Sequence, residues 1–160
     1  MRLIFLDIDG VLVPYPLAHD AERVCQDILP DTDGCPAFAP QCVSELNWIC
    51  ESSGATIVIS STWRQHIPSL GTMRSVLGSQ GVTATIVGMT PIAGGDWDRH
   101  DRGDEVAHYL APLDVESFVV LDDFDMGWDG LEQFWVRPRG TVGLQRRDAE
   151  KAVEILCRND

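Results

Sequence analysis

The sequence predicts an α/β protein, an open and mainly parallel sheet with helices on both faces, and three observations carry that prediction. Five apolar segments of strand length recur along the chain. Stretches with helical spacing fall between them, and strand alternating with helix implies parallel strands joined by right-handed crossovers. The length of 160 residues suits one compact domain with one sizeable core. A single domain over residues 1–160 is therefore expected, with ligands gathering beyond the carboxyl ends of the strands.

The strand-length segments are Leu3 to Leu6, Ala55 to Ile59, Thr83 to Val87, Phe118 to Leu121 and Phe134 to Val136. Val43, Leu46, Trp48, Ile49 and Cys50 form one helix face that ends near Gly54, a normal stop signal. Val106, Tyr109 and Leu110 mark a second helix, opened by Arg102-Gly103-Asp104-Glu105, and Ala149 to Leu156 a terminal one. Residues 13–41 hold Pro14, Pro16, Pro30, Pro36 and Pro40, which predicts a loop-rich insertion overhanging the first strand, with one short helix around Asp20 to Ile28. Residues 90–101 form a second long loop.

Composition narrows the setting. No apolar run approaches the ~20 residues that a bilayer crossing needs. Met1-Arg2 leads straight into a strand, with no room for the apolar core of a signal peptide, so a cytoplasmic address is expected. Cys25, Cys35, Cys42, Cys50 and Cys157 are odd in number and include no C-x-x-C pair, which indicates reduced thiols and no disulfide-linked partner. A formal charge of −13 opposes a broad basic face for nucleic acid, while leaving room for a local basic pocket.

Chemistry concentrates where strands end. The first runs into Asp7-Ile8-Asp9-Gly10, and a period of two places both carboxylates on one side. Two such charges repel, and a divalent cation lets both stay ionised. Gly10 permits an abrupt exit. Asp122-Asp123, with Asp125 close behind, also ends an apolar strand. Parallel strands would bring the two clusters to one sheet edge as oxygen-only ligands, suited to magnesium and not zinc. A third strand ends in Ser60-Ser61-Thr62-Trp63-Arg64, whose hydroxyls and amides can hold phosphate oxygens. Arg102 supplies a cation that could hold both an acidic nucleophile and phosphate charge. The plainer readings are a capped strand end, a solvated acidic turn and a surface arginine.

In this order the four features resemble the haloacid dehalogenase (HAD) superfamily of phosphohydrolases. Phe5 to Leu12, Val58 to Arg64, Arg102 to Val106 and Val119 to Asp125 look closest to its small phosphatase domains in RNA-repair proteins. The resemblance implies a HAD-like Rossmannoid fold without a large cap domain. It implies a phosphomonoesterase in which Asp7 attacks phosphorus and forms an aspartyl-phosphate, while Asp9 protonates the leaving oxygen and then activates water. Mg2+ would be held by Asp7, the Asp9 backbone carbonyl and Asp123, with Asp122 in support. Ser60 would bind a phosphate oxygen, with Ser61 or Thr62 as alternatives. Arg102, or Arg99 as its rival, stands where the family more often has lysine. The substrate implied is a nucleotide or polynucleotide phosphate end, whereas the net charge favours a smaller metabolite.

Arg64, His66, Trp97, Arg99 and His100 are expected in loops bordering the site, Arg64 and Arg99 as possible substrate contacts. Trp128, Phe134 and Trp135 are expected in the core beside the last strand. Asp31-Thr32-Asp33-Gly34 is no calcium loop, since Pro36 and Cys42 replace the required glycine and acid. A nucleotide-sugar transferase needs a longer chain, and a receiver domain needs its acceptor where this chain has Ser60. A non-catalytic magnesium- and phosphate-binding module of the same fold is the remaining alternative.

Overall fold

The computed structural model describes residues 1–14, 37–92 and 102–158. The expected helix around Asp20 to Ile28, most of the 13–41 insertion, and Trp97, Arg99 and His100 lie outside the described residues.

Five parallel strands form one sheet: β1 (Arg2–Leu6), β2 (Thr56–Ile59), β3 (Ile86–Met89), β4 (Ser117–Leu121) and β5 (Trp135–Val136), in the order β3-β2-β1-β4-β5. The helices are α1 (Pro40–Ser53), a single turn α2 (Trp63–His66), α3 (Leu70–Ser79), α4 (Arg102–Leu110) and α5 (Arg146–Leu156). The chain winds outward from β1 to β3, then returns to the other side of β1 for β4. The order reverses there, and the carboxyl ends of strands at such a reversal are where ligands gather in open α/β sheets.

Strand alternation builds two cores. Ile4, Leu6, Ile57, Ile59, Val119 and Leu121 join the larger one with residues of α1, α3 and α5. Leu3, Phe5, Val58 and Val120 point to the opposite face, where Val106 of α4 packs with Met126 and Trp128. Both faces of β1 are covered, so its central residues are apolar throughout, as a buried parallel strand requires. At about 25 cal/mol per Å² of apolar surface removed from water, such strands contribute much of the folding free energy. Among the described residues no helix is long and apolar enough to cross a membrane.

Two elements depart from the sequence reading. The third strand lies at Ile86–Met89, displaced from the expected Thr83 to Val87, because pairing starts only where the Thr85 carbonyl accepts the Ile57 amide (2.9 Å) and the register shifts between Ile57 and Val58. Helix α3 buries just Met73, Val76 and Leu77 and carries Gly71 and Gly78, so its periodicity is faint. Ser69 caps it by accepting the Thr72 amide at 3.3 Å. The α1 stop is as expected: Gly54 adopts φ 69° and its amide returns to the Cys50 carbonyl.

Candidate active site

The carboxyl edge of the sheet forms an ordered row. The first residue after each of four strands donates its amide to the neighbouring strand's end: Thr90 to Ile59 (2.9 Å), Ser60 to Leu6 (2.9 Å), Asp7 to Leu121 (2.9 Å) and Asp122 to Val136 (3.3 Å). Thr90, Ser60, Asp7 and Asp122 thus stand side by side, about 4.8 Å apart by strand spacing. By the period of two, Ser60, Asp7 and Asp122 share the face of Val58, Phe5 and Val120, the face that α4 covers.

Asp7, Asp122 and Asp123 are buried, and each offers a carboxylate oxygen within 4.8 Å of the others. Arg102, the first residue of α4, places Nη1 at 3.2 Å from Asp7 Oδ1 and 2.5 Å from Asp122 Oδ2. Its approach to Asp7 is an ion pair without hydrogen-bond alignment, so Asp7 Oδ1 accepts no hydrogen bond among the described residues. Ser60 Oγ is likewise buried with no hydrogen-bond partner among them. An orphaned hydroxyl costs about 1–3 kcal/mol unless a ligand satisfies it.

Burial raises the Asp122 carboxyl well above the usual carboxylate range, and the Asp7 charge adds to that rise, while Arg102 and the Phe124 amide oppose it. Burial alone would lower the Arg102 guanidinium, but Asp7 and Asp122 outweigh it and raise it instead. One arginine thus faces three clustered acids. Hard oxygen donors in this density fit a divalent cation such as Mg2+, and the residues present suit such an ion.

Two glycines make the geometry possible. Gly10 has φ 74°, and a Cβ there would sit 2.3 Å from Asp123 Cγ, so the turn after β1 is tight enough only without a side chain. A Cβ on Gly103 would lie 1.8 Å from the Gly127 carbonyl oxygen. Its amide donates to Met126 at 3.3 Å, which seats the start of α4, and with it Arg102, against the loop after β4.

The remaining predicted residues take distinct places. Asp9 is half-buried, and its Oδ2 accepts the Trp63 indole N–H at 3.0 Å. The sequence reading missed Trp63 as a site residue. Its apolar ring reads as core, and indeed packs there. Ser61 is buried and its Oγ accepts the Trp63 amide at 3.4 Å, whereas Thr62 is exposed. Asp125 is exposed and accepts the Gly127 amide at 3.3 Å, a local turn contact and not a contact to the acidic cluster.

Arg64 departs from the expected loop position at the site border. It is 4% exposed and donates inward: Nε to the Ser61 carbonyl (2.7 Å), Nη1 to Thr90 Oγ1 and to the Thr90 (2.8 Å) and Pro91 (2.9 Å) carbonyls, Nη2 to Glu105 Oε2 (2.8 Å). It ties the loops after β2 and β3 to α4, which leaves its guanidinium no open face for a substrate. Trp128 lies in the core and Phe134 and Trp135 pack against it, as expected.

A parallel sheet whose two inner strands end in paired acids, beside a serine and a buried cation, defines a domain of the HAD superfamily, whose members are phosphatases and related hydrolases. The chain belongs to the family of HAD domains in Swiss Army Knife RNA repair proteins, which matches residues 3–149. A search of curated proteins finds no match.

Proposed function

We propose that this domain is a magnesium-dependent phosphomonoesterase acting through Asp7, with a nucleotide or polynucleotide phosphate end as substrate. One observation carries the reading: Asp7 sits between an unpartnered Ser60 hydroxyl and the Asp122–Asp123 pair, with Arg102 at 3.2 Å. Asp7 attacks phosphorus in line and takes the phosphoryl group as an acyl phosphate, releasing the alcohol. Asp9, oriented by Trp63, gives that oxygen its proton and then takes one from the water that cleaves the acyl phosphate. Ser60 Oγ donates to a phosphate oxygen. Arg102 draws the phosphate toward Asp7 and balances charge gathered in the transition state. Mg2+, held by Asp7, Asp123 and the Asp9 carbonyl with Asp122 beside them, would neutralise charge on the transferring group.

The free thiols Cys42, Cys50 and Cys157 support a reducing, cytoplasmic setting. The RNA-repair context of the family supports a polynucleotide end over a small metabolite. The test is phosphate release from an aryl phosphate, 5′- and 3′-mononucleotides and phosphorylated oligonucleotides, with and without magnesium. Asp7→Asn should lower release by at least about 10³-fold. Release that survives Asp7→Asn would refute the nucleophile. No release by folded, magnesium-binding protein would favour the binding-module alternative.

A further inference from the structure

Arg137 follows β5 directly, one strand outside the acidic pair, and is exposed. Its Nε donates to the Asp123 carbonyl at 3.0 Å, and its guanidinium carbon lies 5.3 Å from the centroid of the Trp135 ring. Trp135 is itself held, its indole N–H donating to the Asp122 carbonyl at 2.8 Å. The side chain is therefore oriented by a backbone acceptor and an aromatic face. Neither contact uses Nη1 or Nη2, and neither atom has a hydrogen bond or ion pair among the described residues.

Arg74 likewise sets its Nε on a backbone carbonyl, that of Ile86 (2.8 Å), and Arg137 differs from it in lying beside the acidic pair and against an aromatic ring. It also contrasts with Arg64 and Arg102, both turned inward on protein partners. A planar fork fixed in place with two outward nitrogens suits a phosphate oxygen pair. The backbones of Arg137 and Asp7 lie two strand spacings apart, about 10 Å, with β4 between them, a spacing that suits a second group beside the phosphate under attack.

We propose that Arg137 recognises a second phosphate of the substrate, one nucleotide-sized unit away from the phosphate that Asp7 attacks. This rests on the phosphatase reading and narrows its substrate to molecules with two anionic groups. The second group is either a terminal phosphate, as in a nucleoside bisphosphate, or the phosphodiester of an oligonucleotide.

Arg137→Gln keeps a donor for the Asp123 carbonyl and removes the charge. With this variant, kcat/KM is measured for an aryl phosphate, a nucleoside 3′,5′-bisphosphate and a 3′-phosphorylated oligonucleotide. The ratio of kcat/KM for a two-phosphate substrate to that for the aryl phosphate should fall at least tenfold, and the substrate that falls further identifies the source. Arg158→Gln, at the opposite sheet edge where Ser117 meets the end of α5, removes the same charge and should leave the ratio unchanged. A second readout is binding of the labelled oligonucleotide to Asp7→Asn protein. Adding Arg137→Gln should flatten log K against log salt by about 0.7. Ratios within twofold of wild type, or equal loss on all three substrates, would overturn the proposal, the latter placing Arg137 as a support for Asp123 alone. If wild type turns over none of the compounds, the phosphatase reading fails. The salt slope then decides Arg137 by itself, an unchanged slope overturning it.

Discussion

Arg64 and Arg102 are both buried arginines beside the same helix, 4% and 8% exposed, yet their environments move them in opposite directions. Burial pulls each guanidinium toward neutrality. For Arg64 burial prevails, even with Glu105 in contact, and its affinity for the proton is lowered. For Arg102, Asp7 and Asp122 reverse the effect. The difference lies in the partners. Most Arg64 donors meet carbonyl oxygens that hold loops together, whereas Arg102 meets carboxylates crowded at the sheet's carboxyl edge. Depth of burial does not separate a cation that ties loops from one set among clustered acids; the charge and crowding of its partners do.

The largest expected effect tests that contrast. Arg102→Ala should reduce kcat/KM for phosphate release by about 10³-fold, as for loss of a charge-stabilising donor, and Arg102→Lys should recover part of it. Arg64→Ala should instead appear in folding, with about 3–5 kcal/mol lost from denaturant unfolding as one side of a buried ion pair is removed. An Arg64→Ala protein of normal stability and no activity would break the comparison. Trp63→Phe removes a hydrogen bond to a carboxylate worth about 1.5 kcal/mol. We expect about a tenfold drop in kcat with little change in unfolding, and a loss of stability equal to the loss of rate would assign Trp63 to packing alone.

The smallest effect concerns acidity. The Asp122 carboxyl is raised above its ordinary value of 3.8 in the fold. A raised carboxyl favours the folded state fully below 3.8 and loses that contribution as pH climbs through the folded value. Metal-free protein should therefore lose stability from this group between acidic and neutral pH. Magnesium competes with the same proton, so its increase in Tm should be larger at pH 7.5 than at pH 5 by a few degrees. Asp122→Asn should flatten that difference, and a magnesium effect independent of pH would remove Asp122 from the cluster's proton balance.

Much of this is legible in the amino-acid sequence. β1, β2 and β4 end within a residue or so of the expected positions because buried parallel strands are short apolar runs stopped by polar residues. Gly54 marks the end of α1 because only glycine readily takes the left-handed cap. The displacement of β3 and the faint α3 are not legible there, since an edge strand's register and a helix with three buried residues depend on what packs against them. The roles of Arg64 and Trp63 also escaped. An arginine after a strand reads as a surface cation, and only the meeting of two loops with α4 makes it a buried tie.

By itself the sequence determined the chemistry available: which strands end in acids, which helix opens on a cation, and where glycine frees the chain. Those are local properties, set by residue type and period. Tertiary structure alone decided that four strand ends stand in one row, that Arg102 reaches two acids, that Trp63 holds Asp9 and that Arg137 faces outward. Each of these joins residues distant along the chain, and only the order in which the strands pair brings them within reach.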